Sequence, residues 1–323
     1  VHLDTDPRVA ALAATQDGLV TASQARRLGY SRSRIANLIR AHRWRSLAPG
    51  VYLVDAYLFG DPLPARTWWR AALLFNGTQS CLVASTAMRL YGVHGLRLAE
   101  PHIEVGIVGG PSRHGRCAAE LPARGRDESA PRFVVRQFNI ASDEIELYDD
   151  LQVRRFAMSL VDTALESDRA TALALLDSAL HKGLISRDDL WWQVVCATGR
   201  RGVVALRELL TLADSRAESQ VESRVRLACI DGKVAPDDLQ FPVRDEFGNL
   251  LAIGDMAWVK GRRRPLIAEA DGESVHSLPQ AVYRDRRRGN SLVAQACDTV
   301  RFTFADSLRP AYIVSVVRAA LAA

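Results

Sequence analysis

The sequence predicts a multidomain protein of mixed class, part α+β and part α/β. Three observations carry that expectation. Residues 5–54 read as three short helices followed by an extended hairpin. From residue 62 onward, stretches with helical spacing of apolar residues alternate with short runs of strand character. With 323 residues, the chain is also longer than one hydrophobic core usually serves, which favours two or three domains. The breaks in pattern give segments 1–60, 61–214 and 215–323.

The first helix starts at Pro7 and carries Val9, Ala10, Leu12 and Ala13 at helical spacing. Gly18–Val20 is a short extended link. Thr21 is a good N-cap for a helix over Ala22–Leu28, with Gly29 where a C-terminal glycine belongs. Ser31 or Ser33 caps the next helix, whose Ile35, Leu38 and Ile39 share a face. Ser46–Val54 then holds a Pro49-Gly50 turn between extended stretches, a small wing.

In the middle segment, Trp68–Phe75 and Ala84–Leu90 read as helices, and His102–Val108 and Phe133–Phe138 as strands. Gly109–Pro131 reads as a long loop. Helices are expected over Ser159–Leu165, Thr171–His181 and Gly202–Leu212, with a hinge at Asp214-Ser215-Arg216 and Trp191-Trp192 in the core. Gly106-Ile107-Val108-Gly109-Gly110 lacks the Gly-Lys-Ser/Thr of a phosphate loop. His94, His102 and His114 lack ligand spacing.

The last segment begins with a helix through Val221, Val225 and Leu227. Strands follow near Phe241–Arg244, Leu250–Trp258, Pro265–Ala270 and Thr299–Phe304. A basic helix is expected over Gln280–Ala294, and a closing helix over Tyr312–Ala322. This interleaving predicts a mixed sheet with helices packed on it.

Composition narrows the function classes. Hydrophobic residues make up 48% and charged residues 24%, which excludes wholesale disorder. The five cysteines form no CxxC pair, against a zinc site or a disulfide framework and in favour of a reducing cytoplasm. No apolar run approaches the ~20 residues needed to span a bilayer, and residues 1–6 are polar and acidic, unlike a leader. A soluble, cytoplasmic protein without membrane partners is expected. The net charge is +5, and arginine carries nearly all the base, lysine appearing only at Lys182, Lys233 and Lys260. That bias fits a GC-rich genome and selection for phosphate contacts equally.

The placement of base is more telling than its amount. Thr21–Arg45 contains Arg26, Arg27, Arg32, Arg34, Arg40, Arg43 and Arg45 and no acid. A merely soluble helical face usually mixes signs for i,i+4 pairing. A helix-turn-helix sets the N-terminus of its second helix against base edges. Ser31, Arg32, Ser33 and Arg34 occupy that end here, and Arg40, Arg43 and Arg45 are placed to hold phosphates. The rival reading is a solvated arginine-rich helix pair without a ligand.

Gln16–Ala25, Trp44–Tyr52 and Ala84–Val93 together resemble AbiEi-type antitoxins. The resemblance covers about the first half of the chain. It implies an N-terminal winged helix-turn-helix that binds double-stranded promoter DNA, and a cognate toxin protein as a further partner.

Acids gather in the last segment. Asp255 lies in the apolar strand Leu250–Trp258, and a second apolar strand ends in Glu269-Ala270-Asp271-Gly272. If the two strands are antiparallel neighbours, Asp255 comes beside Glu269 or Asp271, and Glu269 and Asp271 share a face. Converging carboxylates in apolar surroundings must be protonated, paired or bound to a cation. Oxygen donors of this kind suit Mg²⁺ or Mn²⁺, which could activate water for phosphodiester hydrolysis. His276 is positioned to move a proton, and Glu222 on the preceding helix to complete the site.

The ordered series Glu218–Arg224, Asp255, Glu269–Gly272, His276, Arg284–Arg288 and Val300–Phe302 resembles very-short-patch-repair endonucleases of the PD-(D/E)xK superfamily. The resemblance implies a mixed sheet flanked by helices, Asp255 and Glu269 as metal ligands, Glu222 as support, and His276 near the scissile phosphate. Asp271 stands where the superfamily has lysine, and Gly254 and Ala270 replace bulkier residues. Arg284, Arg286, Arg287 and Arg288 either track a phosphate backbone or form a solvated face. Three functions stay open: a metal-dependent DNA endonuclease, a repressor or antitoxin with an inactive nuclease-like domain, and a toxin-binding protein.

Overall fold

The computed structural model describes residues 6–96, 102–109, 130–271 and 297–323. They form two compact units. One comprises Val1–Leu90 and Arg97–Ser159, and the other Tyr91–Leu96 and Leu160–Ala323. In the second unit the helix Arg169–His181 packs on the helix Gln220–Asp231, which in turn packs on the C-terminal sheet.

The first unit opens with α1 (Pro7–Ala14), β1 (Leu19–Thr21), α2 (Ala22–Arg27), α3 (Arg32–Arg40), β2 (Arg45–Ala48) and β3 (Val51–Leu53). Each helix starts on a side chain that satisfies a backbone N–H left open at its first turn. Asp6 accepts from Arg8 N, Thr21 forms a capping box with Gln24, and Ser31 accepts from Arg34 N. Gly29, at φ +87°, ends α2 as the sequence suggests. The expected extended link is a strand. β1 pairs antiparallel with β3, Leu19 facing Leu53, in a sheet of order β1-β3-β2. Its two faces serve two cores: Val20 joins Val9, Tyr30, Ile35 and Trp44, while Leu19 joins Leu47, Val51 and Leu53.

The same unit holds a five-stranded mixed sheet of order β6-β5-β4-β8-β7. Its strands are β4 (Ser80–Leu82), β5 (His102–Val108), β6 (Arg132–Ile140), β7 (Ile145–Tyr148) and β8 (Leu151–Arg154), with α4 (Ala65–Asn76) and α5 (Ala84–Leu90). β4, β7 and β8 have three or four residues, too few to show alternation. Gly106 has a packing role: a Cβ there would lie 2.3 Å from Ile140 Cδ1. The expected loop at 109–131 falls mostly outside the described residues.

The second unit contains α6 (Phe156–Glu166) from Leu160 onward, α7 (Arg169–His181), α8 (Arg187–Cys196), α9 (Val203–Leu212) and α10 (Gln220–Asp231). Beside them lies a sheet of order β12-β11-β10-β9, formed by β9 (Asp238–Arg244), β10 (Leu250–Trp258), β11 (Leu266–Asp271) and β12 (Asp298–Thr303). β9, β10 and β11 are antiparallel neighbours, and β12 runs parallel to β11. α11 (Phe304–Ser307) and α12 (Pro310–Ala322) follow. α10 and α12 cover one sheet face, enclosing Val221, Val225, Met256, Trp258, Leu266, Phe302, Ile313 and Val317.

Two expectations fail here. Trp191 and Trp192 are 46% and 67% exposed, not core, because α8 buries Leu190 and Val194 four residues apart. Asp214–Arg216 is tethered within its unit and is no hinge. Asp214 N donates to buried Asp177 Oδ1 at 2.8 Å, and Arg216 pairs with Asp214 and Asp238. The predicted helix at 280–294 lies outside the described residues. No helix among the described residues is long and apolar enough to cross a membrane.

Candidate nucleic-acid interface

α2 and α3 pack over Tyr30 and Trp44, whose rings stack with centroids 5.3 Å apart. α3 buries only Ile35 and half-buries Leu38 and Ile39, so the rest of its surface faces solvent. Arg26, Arg27, Arg32, Arg34 and Arg40 are exposed. Arg26, Arg27 and Arg32 make no ion pair or side-chain hydrogen bond among the described residues. Their positive ends are held out on two capped helices without internal neutralisation.

The other predicted contacts are more engaged. The Arg34 guanidinium lies 3.9 Å over the Tyr30 ring, a cation–π contact that fixes its direction. The sequence carried a signal for it, since Tyr30 and Arg34 stand four apart across the start of α3. Arg40 donates to Asn37. Ser31 caps α3 and shares a hydrogen bond with Ser33 at 2.9 Å. Arg43 is half-buried, 3.7 Å from Asp55 Oδ1, and Arg45 is half-buried on β2.

The carboxylates of the second unit lie near one another around the start of α10 and the middle of the sheet. Asp255 stands on β10 one step past the rung pairing Met256 with Ala268, and its Oδ2 accepts from Ala270 N at 2.8 Å. Glu269 is 2% exposed, with Oε2 2.9 Å from Arg301 Nη2 on β12. Glu222 Oε2 accepts from Glu218 N at 3.0 Å and from Gln240 Nε2 at 3.1 Å. Burial, and then the charge of Asp255, push the Glu222 carboxyl from its ordinary 4.5 up to about 7. Asp271 ends β11 half-buried. His276 and the arginines 284–288 lie outside the described residues.

These acids have the oxygen chemistry of a Mg²⁺ or Mn²⁺ site, and side-chain and backbone groups of the protein engage three of them. Glu269 is engaged by a guanidinium, Asp255 and Glu222 by N–H donors, and Glu222 favours its proton near neutrality. Among the described residues no three acidic, histidine or cysteine side chains are placed to share a metal ion. Sequence reasoning included Arg301 in a motif without a role and overlooked Gln240, which sits at φ +51° opposite Asp255.

Residues 7–54 match the family described as a transcriptional regulator, AbiEi antitoxin. Two Mycobacterium tuberculosis proteins, the uncharacterized protein MT2308 of strain CDC 1551 / Oshkosh and the uncharacterized protein Rv2248 of strain ATCC 25618 / H37Rv, are each 31% identical over 221 residues. Those residues cover 67% of this chain and 71% of each relative. The chain belongs to their family. Its residues 7–54 form an AbiEi-type regulator domain whose elements fit a winged helix-turn-helix.

The wing of this AbiEi-type domain turns inward. Leu47, Ala48 and Val51 pack on Trp68, Ala71 and Leu74 of α4, and the tip, Pro49-Gly50, carries no base. The exposed arginines left without a partner among the described residues of this domain, Arg26, Arg27 and Arg32, therefore stand on α2 and α3. Basic residues of α4 are closed off in the same way: Arg66 and Arg70 both pair with Asp17, at 2.7 and 2.8 Å.

Proposed function

We propose that this protein is a double-stranded DNA-binding regulator that docks through α2 and α3, with the start of α3 toward the major groove. The observation that carries this reading is the acid-free α2–α3 surface, where Arg26, Arg27 and Arg32 stand exposed and internally unpartnered. Arg32 and Arg34 sit at the end of α3 that reads bases in a helix-turn-helix, and Arg26, Arg27 and Arg40 flank it as phosphate contacts. The AbiEi-type match of residues 7–54 supports the same role.

Each phosphate contact adds about 0.9 to the slope of log affinity against log salt. Full-length protein titrated onto duplex from its own upstream region should show a steep slope, which Arg26→Ala, Arg27→Ala and Arg32→Ala together reduce by about 2–3. An unchanged slope overturns the reading. A cognate toxin is a further partner that the antitoxin family supports, and co-purification with the neighbouring gene's product tests it.

Hydrolysis by the second unit is a separate reading. The order of a helix, three antiparallel strands and a strand parallel to the third supports kinship with the PD-(D/E)xK nucleases. The pairing of Glu269 with Arg301 speaks against a metal at that position. Plasmid incubated with Mg²⁺ or Mn²⁺ should stay intact, and cleavage abolished by both Asp255→Ala and Glu269→Ala would restore the nuclease reading.

A further inference from the structure

We infer that one end of the second unit is another contact surface for the phosphate backbone of duplex DNA, remote in sequence from α2 and α3. Three chain segments meet there. Trp258 Nε1 donates to Val234 O at 2.9 Å, and the N–H groups of Val259 and Lys260 donate to Asp237 at 2.8 and 2.9 Å. These bonds join the turn after α10 to the β10–β11 turn. Arg262 Nη1 reaches Leu321 O at 3.0 Å, and Arg318 Nη2 reaches Gly232 O at 2.9 Å, bringing in the end of α12.

The charges in these segments do not balance. Their cations are Lys233, Lys260, Arg262, Arg263, Arg264 and Arg318. The neighbouring acids are already engaged: Asp231 with Arg169, Asp237 with Lys260, Asp238 with Arg216, and Asp298 with Arg262. Lys233, Arg263 and Arg264 remain exposed and without a side-chain partner among the described residues. Arg318 is exposed and bonded to a neutral carbonyl, which leaves its charge uncompensated.

Such a set fits a ligand with closely repeating negative charge, which releases counterions as each cation meets a phosphate. It does not fit single-stranded nucleic acid, which needs exposed aromatic platforms. Trp258, the aromatic residue of the β10–β11 turn region, is 4% exposed and faces the core. Among the described residues the surface carries no recognition element, so it would add affinity without sequence preference. Only the choice of duplex DNA as ligand rests on the reading of α2 and α3 given above; the charge imbalance is independent of it.

The test is full-length protein with Lys233→Ala, Arg263→Ala and Arg264→Ala combined, beside the Arg26/Arg27/Arg32 alanine variant and the six-fold combination. Binding to an arbitrary duplex is read by fluorescence anisotropy over a range of salt, after circular dichroism has confirmed folding. The Lys233/Arg263/Arg264 variant should reduce the salt slope by about 2–3, and Arg263→Ala with Arg264→Ala alone by about two thirds of that. The α2–α3 variant should keep a residual salt-sensitive affinity that the six-fold variant loses. An unchanged slope for the Lys233/Arg263/Arg264 variant overturns the inference, even where the α2–α3 variant loses binding. A slope reduced only by the Lys233/Arg263/Arg264 variant upholds it while removing the role proposed for α2 and α3.

Discussion

The α2–α3 surface and the acidic end of α10 and β9–β11 both concentrate one sign of charge, and they treat it in opposite ways. On α2 and α3, Arg26, Arg27 and Arg32 are exposed and unpaired, while Arg34 is steered by an aromatic ring and Arg40 by Asn37. Around the sheet, Glu269 is buried against Arg301, Asp255 accepts a backbone N–H, and Glu222 lies under Gln240 with its proton stabilised by burial. The difference teaches that the residue types of a site do not decide whether it is open to a ligand. Partnering decides it. An exposed cation without a partner costs little and waits for a polyanion, whereas a buried carboxylate must find its counter-group inside the protein.

That contrast can be broken most forcefully at the most buried ion pair among the described residues of the second unit. Arg226 and Asp177 are 7% and 0% exposed and 2.7 Å apart, so Arg226→Ala strands a buried carboxylate that burial already pushes toward protonation. Denaturant unfolding should show a loss of about 3–5 kcal/mol; a loss below about 1 kcal/mol would mean that internal pairing does not hold this unit together.

Glu222 gives a pH signature of similar size. Its carboxyl is raised from 4.5 to about 7, so the folded state binds the proton more tightly than the unfolded chain. The stabilisation is present in full below about 4.5 and is lost as pH rises to about 7, by at most ~3 kcal/mol. Glu222→Gln should flatten that part of the stability profile, and a profile unchanged by the substitution would remove Glu222 from the account. Next comes Arg301→Ala, which withdraws a half-exposed partner from buried Glu269. A loss of about 1–3 kcal/mol is expected in thermal or denaturant melts, and no loss would show that Glu269 is held chiefly by other groups. The smallest effect belongs to the open surface. Arg26→Ala, Arg27→Ala and Arg32→Ala together should change stability by less than about 0.5 kcal/mol, and a larger loss would reveal structural work by these arginines.

Much of the first unit was legible. Thr21, Gly29 and Ser31 announce helix ends because capping is local chemistry, and the acid-free run of arginines is visible in one dimension. β4 and β8 were not, since each takes its strand character from neighbours along the sheet rather than from its own three or four residues. Trp191-Trp192 misled because hydrophobicity alone does not say which face of α8 finds a neighbour. The sequence brought Asp255, Glu269 and Glu222 into one hypothesis, but gave Arg301, thirty-two residues beyond Glu269, a place in the motif series and no role.

What the chain's order of residues determined by itself is the set of elements and the sign of charge on each, because propensity, capping and periodicity act over a few residues. Tertiary structure alone decided which charges stay open. Arg43 meets Asp55, Arg66 and Arg70 meet Asp17, and Glu269 meets Arg301 only once the fold brings distant segments within ångströms of one another. Electrostatic pairing depends on distance in space and on burial, and neither is a property of a position in a sequence.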